Sequence, residues 1–271
     1  MTPAADVPPP TFAVAVVIVA AGAGTRLGHG IPKALVPVAG EPLLGRALRG
    51  AVAAGVARQI VVAVPAGDTA LTSLCRALGQ NLMARRDGPP ITVVHGGATR
   101  SESVRAALAA LLPGTQGVLV HDAARPLTPS DVFRRVATAL ANGAAAVIPA
   151  VPVVDTVKSV AATTGDDAAL AGEVVTGTPA REALRAVQTP QGFDAETLRR
   201  AHETAEGWPR ERAEAITDDA MLIESLGLPV YVVPGDPLSF KITTPLDLRL
   251  AETLVHDARA DARSAQAEEI R

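Results

Sequence analysis

Five apolar runs of strand length, at 13–19, 59–65, 91–95, 117–121 and 144–149, alternate with segments whose apolar residues recur at helical spacing. This alternation narrows the fold more than any other feature. Strands that are apolar throughout need cover on both faces, and helical crossovers supply it, so the pattern predicts βαβ units around a mostly parallel sheet. Leu43, Leu44, Ala47, Leu48, Ala51 and Val52 share one helical face. Thr99 and Glu102 have the spacing of a capping box ahead of Val104, Leu108 and Leu111. Ser130 reads as a cap and Gly143 as a stop for the next helix. Further on, helices are expected from about Ala195 and from about Asp218 to Leu226, with strands at 229–235 and 238–244.

The rhythm breaks after residue 150. Residues 151–180 are β-prone, carry a Gly-Asp-Asp turn and offer no helical face, which predicts a projecting β-arm. An arm that cannot bury its own apolar side packs on a partner, so a homodimer through this arm is expected. The 271 residues, 48% of them hydrophobic, suffice for one sizeable core. The organisation expected is a disordered proline-rich leader at 1–11, one domain over 12–255 that includes the arm, and a charged tail at 256–271, helical but frayed.

A net charge of −3 argues against a chain that coats nucleic acid or an anionic membrane, so any phosphate site must be local. Residues 12–21 are too short to span a membrane, and the leader before them lacks the basic residues of a signal peptide. The single cysteine, Cys75, excludes an intramolecular disulfide and a cysteine-rich metal site, reads as a buried free thiol, and suits the cytoplasm.

The first apolar run leads directly into Ala20, Ala21, Gly22, Ala23 and Gly24, with Arg26 and Lys33 close behind. The glycine spacing matches neither the dinucleotide fingerprint nor the Walker A loop. Small residues after a parallel strand nevertheless let backbone N–H groups approach an anion. Two cations beside such donors suit a polyphosphate whose α-phosphorus gains charge on its oxygens as a bond to it breaks. Alone, the loop also fits a tight turn with two solvated charges. Only three of the 25 basic residues are lysines: Lys33, Lys158 and Lys241. The compact ammonium of Lys33 and Lys241 sits in motif-like contexts, whereas Lys158 reads as a partner for an acid such as Asp155 on the arm. The five histidines show no metal spacing, and His121 reads as strand-end packing.

The stretch AAGAGTRLGHGIPKAL resembles the signature of nucleotidyltransferases with the sugar-nucleotide pyrophosphorylase fold. GGATRSESV (96–104), VLVHDAARPL (118–127), VQTPQGF (187–193), ITDDAMLIE (216–224) and FKITTPLDL (240–248) resemble one family among them, 2-C-methyl-D-erythritol 4-phosphate cytidylyltransferase. The resemblance implies a three-layer α/β/α, Rossmann-like domain and a reaction of CTP with methylerythritol phosphate that releases pyrophosphate. It implies Arg26 and Lys33 as the cations on the α-phosphate, and Asp122 as the ligand of Mg2+ or another divalent cation. The nucleotide would lie against residues 20–24, Gly97, Arg100 and Ser103. The acceptor would be held by Arg181 and Lys241, with Arg125, Asp155, Thr156 and Thr189 nearby, and Arg181 could serve a partner's site. Val19, Ala34 and Ala98 stand where the family often has Pro, Gln and an acid. A cytidylyltransferase for another polyol phosphate, such as ribitol 5-phosphate, and a non-catalytic nucleotide-binding module are the alternatives.

Overall fold

The computed structural model describes residues 12–22, 30–85, 88–163, 172–209, 211–212 and 215–269. β1 (Val14–Val19), an unbroken run of Val, Ala and Ile, takes the centre of the sheet, where both faces can be covered. It pairs in parallel with β4 (Ala57–Val64) on one side and β6 (Gly117–Asp122) on the other. β4 pairs in parallel with β5 (Ile91–His95) at one edge. Beyond β6 come antiparallel β11 (Gln191–Asp194) and then β7 (Ala146–Pro152). β7 also carries antiparallel β10 (Arg185–Val187) and parallel β12 (Tyr231–Pro234). The chain runs outward from β1 through β4 to β5 and then returns to place β6 on the opposite side of β1. Such a reversal opens a crevice at the carboxyl ends of the two diverging strands, which sets the location of the site.

Alternation along the strands sorts the core into two layers. Val16 and Ile18, with Ile60 and Val62, face α1 (Leu43–Ala53), α2 (Thr69–Arg85) and α4 (Ser130–Ala141) through Leu44, Leu48, Leu71, Cys75 and Phe133. Val17, Val61, Val118 and Val120 face the other way, toward α3 (Arg100–Ala109), α5 (Ala195–Glu206) and α6 (Asp219–Ser225). The result is the expected α/β/α sandwich around a mostly parallel sheet. Cys75 is a buried free thiol, and burial pushes its pKa up to about 12.

A third, smaller core lies at one end. α7 (Pro245–Glu269) presents Leu248, Ala251 and Val255 to Ile242 and to Val36, Val38 and Leu43 around the hairpin of β2 (Pro37–Val38) and β3 (Glu41–Pro42). Lys33 stands three residues before Val36, and Lys241 immediately precedes Ile242. One hydrophobic cluster therefore fixes the segments that carry both lysines.

Several expectations need correction. Residues 238–244 form no strand: a 3-10 turn at Pro237–Ser239 is followed by irregular chain whose Ile242 N–H donates to the Ala124 carbonyl. Asp247 accepts from the Thr243 and Thr244 amides and holds that segment at the start of α7. Ser130 does not cap α4. Pro129 is the cap residue, and Ser130 is already the first helical residue, where its hydroxyl cannot face back onto the amides of the first turn. The 258–269 stretch, expected to be frayed, continues α7 without a break. β7 extends to Pro152, and the arm beyond it is the hairpin of β8 (Ser159–Ala162) and β9 (Glu173–Gly177), which among the described residues pair only with each other. Its Gly-Asp-Asp turn and the leader lie outside the described residues. Lys158 donates to the Thr178 hydroxyl at 2.8 Å in place of an acid.

Candidate active site

A cleft of about 400 Å³ opens at the switch point, lined by the ends of β1, β5 and β6. Its floor is Ala20, Ala21 and Gly22, where the chain leaves β1. Gly96 and Gly97 bring the end of β5 against it. A Cβ on Gly96 would meet Ser103 Oγ at 2.7 Å and Ala21 Cβ at 2.9 Å, and one on Gly97 would meet Glu102 Cβ at 2.3 Å. Only glycine lets the backbone lie this close to those side chains. α3 starts here under the predicted capping box: Thr99 Oγ1 accepts from Glu102 N, and Glu102 Oε2 accepts from Thr99 N. That box sets the backbone of Arg100 and Ser103, both of which line the cleft, with the buried Ser103 hydroxyl donating to the Thr99 carbonyl at 2.9 Å.

Asp122, the last residue of β6, supplies the acid. Its Oδ2 lies 2.8 Å from Lys241 Nζ and its Oδ1 lies 3.6 Å from Arg100 Nε. Burial alone would raise this carboxyl, but Arg100 and Lys241, with Arg125 beyond them, hold it well below the usual carboxylate range. Asp122 is therefore an anion at any pH near neutrality. Burial likewise opposes the charge on Arg100, and Asp219 together with Asp122 outweighs it and raises the guanidinium above its ordinary value. Lys33 completes the cleft, placed by a one-turn 3-10 helix whose Ala34 is buried in the core.

The VQTPQGF stretch acts as a strut behind these groups. Thr189, expected near the acceptor, is buried; its Oγ1 accepts from Asp122 N at 3.0 Å and lies 3.0 Å from His121 Nδ1. Gln188 exchanges two hydrogen bonds with the Asp236 backbone, and Gln191 donates to Asp218. The ends of β6 and α6 and the segment before Lys241 are thus tied to a single short stretch. His121 is packed against the Phe133 ring, and burial pushes its imidazole down to about 4, so it is neutral near pH 7.

Ala20, Ala21, Gly22, Lys33, Gly97, Arg100, Ser103, Asp122 and Lys241 therefore meet in one cleft. Ala23, Gly24 and Arg26 lie outside the described residues. The remaining acceptor candidates do not line the cleft. Arg181 sits on a 3-10 turn at the root of the arm, donating to the Val154 carbonyl at 3.1 Å beside Asp155 and Thr156. Arg125 is committed to the carbonyls of Ser239 and Val187. Sequence reasoning assigned no role to Asp219 and His202, which stand behind Arg100. The paired acids of ITDDAMLIE were the available signal for Asp219; nothing marked His202.

The family model of 2-C-methyl-D-erythritol 4-phosphate cytidylyltransferase matches residues 14–257. A protein of that name from Nocardia farcinica is 52% identical over 252 residues, covering 91% of this chain and 95% of the relative. One from Streptomyces avermitilis is 49% identical over 244 residues, covering 89% and 91%. The crystal structure of the Thermus thermophilus enzyme superposes with a TM-score of 0.66 at 36% identity, covering 90% of this chain and all of that one. The match begins at the first residue of β1, takes in every strand of the sheet and both lysine segments, and ends within α7, so this chain belongs to the 2-C-methyl-D-erythritol 4-phosphate cytidylyltransferase family.

Proposed function

We propose that the cleft transfers the cytidylyl group of CTP to 2-C-methyl-D-erythritol 4-phosphate, releasing pyrophosphate and forming the 4-diphosphocytidyl product. The observation that carries this reading is the meeting of Lys33 with Asp122 and its two paired cations, Lys241 and Arg100, in one cleft over a floor of small residues at the switch point. The acceptor is a phosphate monoester whose second pKa is about 6, so near neutrality it is already the nucleophile and needs no general base. Among the described residues, Asp122 is the one carboxylate lining the cleft, and it is held ionised between cations, which suits it to charge balance and not to proton transfer. An acceptor oxygen attacks the α-phosphorus, the bond to the bridging oxygen breaks, and the electron pair leaves with pyrophosphate. Lys33, with Arg26, neutralises the charge that builds on the α-phosphate oxygens. Lys241 and Arg181 hold the acceptor phosphate in line for the attack.

No group of three or more His, Cys, Asp or Glu able to hold a metal occurs among the described residues. A lone carboxylate at a polyphosphate cleft fits Mg2+, which keeps waters and substrate phosphates as its other ligands. Asp122 would hold the ion, and when bound it supplies further neutralisation of the phosphates. The arm exposes Val160, Val174 and Val175, an apolar surface without a core of its own, and we assign it to a homodimer contact. The buried free thiol of Cys75 suits a cytoplasmic enzyme.

The deciding experiment measures pyrophosphate release from each of the four NTPs, with and without the acceptor, in Mg2+ or EDTA. Release with CTP and methylerythritol phosphate in Mg2+ is expected. Silence under those conditions, or equal turnover of ribitol 5-phosphate, overturns the assignment.

A further inference from the structure

Asp219 and His202 form a buried ionisable pair with no part in the reaction described above. Asp219 is the first residue of α6 and is fully buried. Its Oδ1 lies 3.1 Å from His202 Nε2 on α5, and its Oδ2 lies 2.5 Å from Arg100 Nη1 on α3. An ionised carboxylate only accepts hydrogen bonds, so both neighbours donate to it. Burial would raise this carboxyl, but Arg100 and His202 keep it below the usual range.

Arg100 is thus shared unequally between two acids. Asp219 holds one arm of the guanidinium at hydrogen-bond distance, whereas Asp122 lies 3.6 Å from Nε, too far for a hydrogen bond. The capping box fixes the Arg100 backbone but leaves its long side chain free to choose among rotamers. The start of α6 is itself secured: Asp218 accepts from Met221 N and from Gln191 Nε2, so Asp219 is presented from a fixed point. Asp219 does not line the cleft, and Arg100 does.

We propose that Asp219, anchored by His202, is a positioning residue that holds the Arg100 guanidinium in the wall of the nucleotide cleft. The inference rests on the reading of that cleft as the CTP site and names what sets the orientation of one of its cations. Loss of the Asp219 charge removes the nearer partner of Arg100 and frees the planar fork from the geometry in which it meets the nucleotide.

The test compares the full-length wild type with Asp219→Asn, Asp219→Glu and His202→Gln. The first readout is the rate of phenylglyoxal addition to Arg100, followed by peptide mass spectrometry with exposed Arg58 as internal reference. The second is the steady-state KM for CTP. In Asp219→Asn, Arg100 labelling rises at least about threefold relative to Arg58, and the CTP KM rises about tenfold with kcat changed less than about threefold, the scale expected for losing one charged hydrogen bond. Asp219→Glu recovers part of both effects, and His202→Gln shows smaller shifts of the same sign. Labelling and KM within about twofold of wild type in folded Asp219→Asn overturn the proposal. Should that variant not fold, the same readouts on His202→Gln decide, because the carboxylate is then still present. A wild type that does not turn over CTP defeats the reading of the cleft, while the labelling rates still report whether Asp219 holds Arg100.

Discussion

The cleft at the switch point and the root of the arm are built to opposite standards. In the cleft, the charges sit on segments that are packed into a core. Asp122 closes β6, Arg100 opens α3, and the chain around Lys33 and Lys241 is gripped by the third hydrophobic cluster. At the root of the arm, Arg181 has half its side chain in solvent, its acidic neighbour Glu182 is 79% exposed, and Asp155 and Thr156 lie in open chain after β7. Charges excluded from water interact strongly and keep their geometry, whereas exposed pairs contribute little. On the proposed reading the difference separates two tasks: a cleft organised for the α-phosphate within one chain, and an acceptor side that takes its order from the substrate or from a second chain.

The largest test of this contrast removes a cleft cation. Lys33→Ala is expected to lower kcat by about 10²–10³, the scale of losing one charge that stabilises a transition state, while the acceptor KM changes little. Steady-state kinetics with CTP and acceptor varied in turn makes the check. A rise in acceptor KM as the main effect would move Lys33 to the other side of the reaction.

At the root of the arm the consequence is different in kind. Arg181→Ala is expected to raise the acceptor KM by about ten- to thirtyfold, as for a lost charge-assisted contact, and to leave the CTP KM within twofold. Sedimentation of Val174→Asp sharpens the same point. If the arm joins two chains, this variant shifts the dimer toward monomer and raises the acceptor KM in parallel, whereas a monomer unaffected in KM would separate the arm from the acceptor site.

The pH profile is smaller in scale and tests the absence of a base. Because burial keeps His121 near 4 and Asp122 stays ionised, neither titrates between about pH 5 and 8. The acceptor phosphate does. kcat/KM for the acceptor is therefore expected to fall about tenfold per unit below its second pKa of about 6. A limb that persists with an acceptor whose phosphate pKa has been shifted would point to a protein base instead.

Most of this architecture was readable in the chain because it rests on local patterns. Five apolar runs gave the parallel sheet, since burial on both faces demands continuous apolar strands, and the Thr99–Glu102 box appeared where the spacing put it. What escaped was decided by contacts between distant segments. Residues 238–244 look like a strand, but Ile242 is drawn into the third core and its amide goes to Ala124. Nothing in the sequence showed that the Thr189 hydroxyl is bound to the end of β6. Asp219 and His202 lie 17 residues apart on helices whose packing no periodicity predicts. The residues proposed to touch phosphate carried a sequence signal in their spacing; the residues that hold those groups in place carried almost none.

The smallest effect belongs to the joint that carries Lys241. Asp247 accepts from the Thr243 and Thr244 amides, both at 2.7 Å, and from the Thr243 hydroxyl, closing the first turn of α7 directly after the lysine. Although burial slightly opposes its charge, these hydrogen bonds bring its pKa down to about 2, below the roughly 3.9 of an unfolded Asp. A depressed carboxyl stabilises the fold above the unfolded value, and that contribution is lost as the pH falls from about 4 toward 2. Asp247→Asn is expected to cost about 1 kcal/mol in urea unfolding at pH 7, the scale of one helix cap, with the difference from wild type shrinking at pH 3. Because the third core still grips Ile242, kcat should fall less than about threefold. A fall comparable with that of Lys33→Ala would show that the cap, and not the core, aims Lys241 into the cleft.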